Sequence, residues 1–172
     1  HPLLQNSLRG ELNTYALFTD LALHALAPEG VLSLVVKSSL VTMPTYRDLF
    51  RAMARPGHLY TIFLFDNTKR IFSIDSREKF CILTAGTMCR DRIWLAAGLT
   101  DSKELRTCRR MSLDYTTLEK INPASAMVPN VSSTEALELL SQVHRTHPVF
   151  QEIYPECHFG RIVHLTNHAS HI

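Results

Sequence analysis

A chain of 172 residues, 45% hydrophobic and 20% charged, is long enough to bury one domain-sized core and too apolar for global disorder. Its formal net charge of +2, with nine histidines besides, is only mildly basic and by itself points to no nucleic-acid partner. The four cysteines, Cys81, Cys89, Cys108 and Cys157, form no C-x-x-C pair and so no zinc signature. With no apolar run of membrane-span length and no signal peptide, these features predict a reducing, cytoplasmic protein.

Taken in chain order, "GELNTYALFTDLALHALAPEG" is the clearest helix, with Asn13 as N-cap, Pro28 and Gly30 as stop, and Tyr15, Phe18, Leu21, Ala22, Ala25 and Leu26 as its apolar face. "VLSLVV" follows, short, continuous and β-branched, which predicts a strand buried on both faces. "KSSLVTMPTYRDLFRAMARPG" begins as a loop and becomes a helix with Pro44 in its first turn and Tyr46, Leu49, Phe50 and Met53 facing the core. "HLYTIFLFD" and "KFCILTAG" read as strands, and Cys81 within the second as a buried free thiol. Only about a dozen residues without a helix pattern join them, too few for a parallel crossover, so one of the two must run antiparallel. The expectation is an α/β fold with a mostly parallel sheet.

Beyond these, "DRIWLAAGLTDSKEL" reads as a short strand and a turn, and "SLDYTTLEKINP" as a short helix begun by Ser112. After the loop "NPASAMVPNV", the helix "SSTEALELLSQVHRTHP" carries a capping box of Ser132 and Glu135, with Ala136, Leu139, Leu140 and Val143 as its apolar face. "HFGRIVHLTN" predicts a final strand. The chain begins at His1 without an initiator methionine and stops at "HASHI", so a fragment of a longer protein is expected.

The motifs of the common chemistries are missing: no G-x-S-x-G, no phosphate-binding G-x-x-x-x-G-K, no G-x-G-x-x-G. Ser38 and Ser39 follow a strand without an identifiable base. His144 and His147 are three residues apart, and His164, His168 and His171 are spaced four and three in a strand-like segment, so no metal site is assigned. The charges gather in two basic groups: Lys69, Arg70, Arg77 and Lys79, then Arg106, Arg109 and Arg110. Solvated faces are the ordinary reading of such groups. "IFSIDSREKF" is the unusual stretch, because it places Phe72, Asp75, Arg77 and Lys79 where a two-residue turn would connect the strands.

The order of these pieces resembles the second half of a DNA adenine-N6 methyltransferase of the type IIG restriction–modification and phage-exclusion family. There a helix like "NTYALFTDLALHALAPEG" follows the catalytic Asn-Pro-Pro-aromatic motif. A strand like "VLSLVV" comes next, usually ending in Pro-Ser where this chain has Lys37 and Ser38. "IFSIDSREKF", "LEKINPAS" and "RIVHLTNHAS" are similar to later family phrases in the same order, so the resemblance covers nearly the whole chain.

The resemblance implies a fold: the C-terminal part of a class I, Rossmann-like, S-adenosylmethionine-dependent methyltransferase sheet with an antiparallel last strand, followed by a mainly helical extension. Residues 1–99 would be the C-terminal half of the catalytic domain, and residues 100–172 the region leading to target recognition. "VLSLVV" should lie next to "KFCILTAG", with "LYTIFLFD" outside it. The other edge of 31–36 should be open and covered by the missing N-terminal half. The implied substrate is an adenine extruded from double-stranded DNA. Phe72 is the implied stacking residue, with plugging of the sheet end as the other role open to it, while Phe80 is expected in the core. Lys69, Arg77, Lys79, Arg106, Arg109 and Arg110 are the candidate DNA-backbone contacts, and Asp75 is expected to pin the loop through Arg77 or Lys69. Neither the catalytic nor the glycine-rich cofactor motif occurs here, so the fragment is expected to hold no S-adenosylmethionine and to be inactive alone. The alternatives are a methyltransferase acting on RNA or protein, and a non-catalytic DNA-binding or interaction module.

Overall fold

The computed structural model describes residues 4–8 and 12–157. Its elements run α1 (Thr14–His24), β1 (Val31–Lys37), α2 (Ser39–Thr42), α3 (Arg47–Ala54), β2 (Leu59–Asp66), β3 (Lys79–Gly86), β4 (Ile93–Leu99), β5 (Met111–Leu113), α4 (Tyr115–Ile121), α5 (Thr134–Thr146) and α6 (Phe150–Ile153). The strand expected over residues 158–167, and His164, His168 and His171, lie outside the described residues.

The five strands make one mixed sheet in the order β1-β3-β2-β4-β5. β3 lies antiparallel between β1 and β2, with Val35 opposite Ile82 and Phe63 opposite Ile82 on its two sides. β1, β2 and β4 therefore run one way, and β3 and β5 the other. This corrects the mostly parallel sheet expected from sequence. Only β2 and β4 pair in parallel, because β3 separates β1 from β2 and makes both of its own pairings antiparallel. The neighbours expected from the resemblance are observed: β1 beside β3, and β2 beyond it.

β1 is an edge strand among the described residues, and its residues alternate between half-buried and exposed. Leu34 and Val36 lean on the main core, whereas Val31 and Val35 are 61% and 54% exposed. The strand is thus not buried on both faces as its apolar run suggested. The described helices cover one face of the sheet at this edge and nothing described covers the other.

The main core joins Leu49, Phe50 and Met53 of α3 to Ile62, Leu64, Cys81, Leu83 and Leu95 of the sheet. α3 buries the face its spacing predicts: Tyr46 in the preceding 3-10 turn, then Leu49, Phe50 and Met53. α1 does not. It buries Ala16, Thr19 and Asp20, and leaves Phe18 67% exposed. The cause is polar satisfaction. The buried Asp20 carboxylate accepts hydrogen bonds from the Ser7 N–H at 3.0 Å, the Ser7 hydroxyl at 2.9 Å and the Asn6 side chain at 3.1 Å. A carboxylate so bonded is stable where an unpaired one is not. α1 is apolar on more than one side, so periodicity alone could not select the packed face.

Two helix starts also shift. α4 is capped by Asp114, whose carboxylate accepts the Thr117 N–H at 2.7 Å, while Ser112 belongs to β5. α5 is capped by Ser133, which accepts the Ala136 N–H at 3.2 Å, so Ser132 makes no capping box. With the start moved, α5 buries Thr134, Leu137 and Ser141, and Leu139 and Val143 face outward. The loop after α4 is itself core: Met127 and Val128 are buried, and the Val128 N–H donates to Val41 O at 3.0 Å. Leu113, Leu118 and Leu137 join the same core as the earlier strands.

Burial pushes the Cys81 thiol up to about 12. The native thiol stays neutral while the unfolded chain ionises it from about pH 8.5 upward. Its contribution to stability is therefore complete below that pH and is lost as pH rises toward the folded value. Between about pH 9 and 11 the unfolding free energy of the wild type should fall more steeply than that of Cys81→Ala, by about 1.4 kcal/mol per pH unit. Urea titrations of both proteins across that range measure the difference, and parallel slopes would contradict it.

Candidate active-site rim at the carboxyl ends of the strands

Because β1, β2 and β4 run the same way, Lys37, Asp66 and Leu99 end on one rim of the sheet, and β3 begins there at Lys79. In open α/β sheets this rim is where ligands bind. Residues 67–78 form the connection that crosses it. The side chains on one face of the rim make a row, because Lys37 pairs with Phe80, Phe80 with Phe65, and Phe65 with Leu99. Phe65 and Phe80 stack in parallel at 4.9 Å, and Phe72 meets Phe80 edge-on at 4.9 Å. Phe80 is buried, as expected for a core residue, and Phe72 is 41% exposed. The loop therefore presents an aromatic ring braced on a fixed stack. Phe65, Phe80, Phe63, Ala96 and Leu99 form a second, smaller core beneath it.

Beside this row opens a cavity of about 560 Å³ lined by Asn13, Tyr15, Lys37, Ser39, Met43, Thr45 and Tyr46. The Asn13 side chain donates to the Tyr46 hydroxyl at 2.7 Å, that hydroxyl shares a bond with Tyr15 at 2.7 Å, and Tyr15 shares another with Ser39 at 3.0 Å. Lys37 pairs with Glu78 of the crossing loop at 2.9 Å, so the cavity wall and the loop are contiguous. The volume is of the size that holds a small molecule, and its polar groups are bonded to one another along the wall. Asn13 was expected only as a helix cap; its carboxamide makes no capping bond and faces Tyr46 instead.

The structure separates the six candidate phosphate contacts. Lys69 lies 3.7 Å from Glu104, which brings the 3-10 turns Asn67–Lys69 and Ser102–Arg106 together at the rim. Lys79 pairs with Asp66 at 2.9 Å, at the rim as well. Arg77 forms a two-pronged pair with Asp75, with a 2.6 Å contact to Oδ2, and this hydrogen bonding holds the Asp75 carboxyl below the usual range. Arg77 is thus the partner of Asp75, one of the two expected for it. Arg106 is exposed at the end of the second turn. Arg109 and Arg110 diverge: Arg109 pairs with Glu138 of α5 at 2.7 Å, while Arg110 lies 5.1 Å over the Phe63 ring and donates to Leu105 O at 2.8 Å. Lys69 and Lys79 are thus ion-paired at the rim and Arg77 within the crossing loop, whereas Arg109 is drawn to α5 and Arg110 to the Phe63 ring.

Sequence reading passed over Tyr15, Tyr46 and Asn67. Tyr15 and Tyr46 sat at apolar helical positions and were assigned to packing, which their rings do at 5.6 Å while their hydroxyls line the cavity. Asn67 closes "FLFDN", which is similar to a family phrase ending in the same residue, but no role was attached to it; it is fully buried beneath the crossing loop. Among the described residues, no three His, Cys, Asp or Glu side chains gather as a metal site, and no helix is long and apolar enough to cross a membrane.

No protein-family model matches this sequence, and no curated protein matches it. Solved structures do match. The type IIG restriction endonuclease BpuSI superposes with a TM-score of 0.52 at 14% identity, over 71% of this chain and 16% of that chain. The two share a fold. At this identity the likeness is one of fold, and this chain spans a small part of BpuSI.

The two rim aromatics should separate in stability measurements. Phe80→Ala empties a site between two rings and should cost about 3–5 kcal/mol of unfolding free energy. Phe72→Ala removes a half-exposed ring and should cost about 1 kcal/mol. Chemical denaturation of both variants checks this. Equal losses would mean that Phe72 is a core residue rather than a presented one.

Proposed function

We propose that this chain is the C-terminal half of the catalytic domain of a DNA adenine-N6 methyltransferase in a type IIG restriction–modification or phage-exclusion system. Residues 1–99 would complete the methyltransferase sheet, and residues 100–172 would lead toward target recognition. The observation that carries this reading is the loop 67–78, which joins β2 to an antiparallel β3 and presents Phe72 on Phe80 at the carboxyl rim. The fold shared with BpuSI, a type IIG restriction endonuclease, supports it, as does the strand order β1-β3-β2 expected from the resemblance.

An adenine amine inside a duplex is out of reach, so the base must leave the stack and enter a pocket. Stacking on one aromatic is worth about 1–3 kcal/mol per base. Phe72 offers that face, and the adjoining cavity with its Tyr15, Tyr46 and Ser39 hydroxyls offers polar partners. Lys69, Arg77, Lys79 and Arg106 border the loop and would take phosphates of double-stranded DNA flanking the extruded nucleotide, which position the duplex without reading its sequence. Arg109 and Arg110 would act farther from the base.

In the parent enzyme, S-adenosylmethionine would supply the methyl group. Its site would lie in the complementary half, with the glycine-rich motif that these 172 residues lack. The complementary half would bind along β1, whose outer edge is unpaired among the described residues. Phe18 and Leu21 on α1, and Val31 and Val35 on β1, expose apolar surface on either side of that edge. An occupant that covers both sides of an edge strand and pairs with it is the rest of an α/β domain. The protein would work in the cytoplasm, where its host's DNA lies.

The test is methyl transfer. The 172-residue chain should methylate no DNA, and the parent enzyme carrying Phe72→Ala should lose about 10- to 100-fold in kcat/KM. Incorporation of labelled methyl into DNA measures both. Turnover by the chain alone would contradict the half-domain reading, and an undiminished Phe72→Ala enzyme would contradict the stacking role.

A further inference from the structure

We infer that Asn67 is the positioning residue of the stacking site, setting where the Phe72 ring stands before any base arrives. This rests on the reading of Phe72 as a base-stacking residue and adds the group that makes it one.

Asn67 has no exposed surface, and its hydrogen bonding is directed at one loop. The Phe72 N–H donates to Asn67 Oδ1 at 3.0 Å, and Asn67 Nδ2 donates back to Phe72 O at 3.0 Å. The second hydrogen of the same amide goes to Asp75 O at 3.2 Å. On the main chain, the Asn67 N–H donates to Glu78 O at 3.1 Å and Asn67 O accepts the Arg70 N–H at 2.9 Å. The carboxamide thus grips the backbone of Phe72 as a neighbouring strand would. Arg70, with φ of 53°, turns the chain back so that Phe72 reaches it.

The chemistry is specific to this side chain. A carboxamide places a donor and an acceptor side by side. Aspartate would keep the acceptor and lose both donors, leucine would lose all three bonds, and glutamine would carry the amide one carbon too far. The far end of Phe72 is held as well, since its ring makes a T-shaped contact with Phe80, which is stacked on Phe65. The residue is fixed at its backbone and at its ring while the ring remains partly open to solvent. A ring held in place loses little freedom when a base stacks on it, and that is where pre-organisation raises affinity.

A binding experiment with the 172-residue chain tests this without turnover or a known recognition sequence. The probe is a short DNA duplex with 2-aminopurine opposite an abasic site, whose unpaired base is free to leave the stack. The base is quenched while it is stacked in the duplex, so its transfer to Phe72 should raise its fluorescence at saturating protein. Phe72→Ala should abolish most of the protein-dependent rise and weaken binding about fivefold or more. Asn67→Ala keeps the ring but should also lose most of the rise, and the double variant should be no worse than Phe72→Ala, because the two act as one unit. A full rise in Asn67→Ala but not in Phe72→Ala overturns the inference and leaves the stacking role intact. A full rise in Phe72→Ala overturns both. Circular dichroism establishes that the variants are folded. If Asn67→Ala is not, amide exchange in the wild type decides: the Phe72 amide should exchange at least about tenfold more slowly than that of Ser73 in the same loop. Equal rates would overturn the inference.

Discussion

The arrangement depends on one constraint: β3 enters antiparallel between two strands that run the same way. That insertion brings the start of β3 to the rim where β1, β2 and β4 end. The connection from β2 to β3 therefore stays on the rim and crosses it, instead of passing over a face of the sheet as a helical crossover does. It also fixes who faces whom. Pairing of Lys37 with Phe80, and of Phe80 with Phe65, lines up the aromatic stack and puts the cavity at the end of β1 next to the crossing loop. A rim that carries a braced aromatic, a polar cavity and a group of cations is a consequence of that strand order.

Much of the fold was legible because local signals were unambiguous. Four apolar residues at helical spacing behind Pro44 allowed one packed face for α3, and that face is the one buried. The short connection between β2 and β3 required an antiparallel strand, and the structure has one. Legibility failed where two local answers were chemically equivalent. Ser132 and Ser133 are both competent caps, and the choice falls to tertiary packing: Ser132 O lies against Gly98, which sits at φ of 76° where a side chain would collide. α1 is apolar on opposite sides, and the choice of its packed face was made by Asp20, a polar residue that hydrophobic patterning ignores.

The site was legible in part for a related reason. Phe72 and its charged neighbours stood out because they are costly choices for a turn. The residues that organise them did not. Asn67 acts through hydrogen bonds to residues five and eight positions away, along a path that no periodicity encodes. Tyr15 and Tyr46 serve two purposes, rings to the core and hydroxyls to the cavity, so a pattern of apolar positions registers only the first. The basic residues looked like two clusters along the chain; in space Lys69 reaches Glu104 of the second turn, while Arg109 and Arg110 turn to Glu138 and Phe63.

The open edge of β1 ties the fold to the proposed activity. Val31 and Val35 on one side and Phe18 and Leu21 on the other flank a strand edge that is unpaired among the described residues, a combination that folded proteins otherwise cover or blunt. The claim that another half of the same domain closes this edge is tested most directly by reading the coding DNA immediately upstream of His1. The account predicts an in-frame Asn-Pro-Pro-Tyr or Asn-Pro-Pro-Trp just before it, with a glycine-rich strand–turn motif farther upstream. A start codon directly upstream, with neither motif, would contradict it.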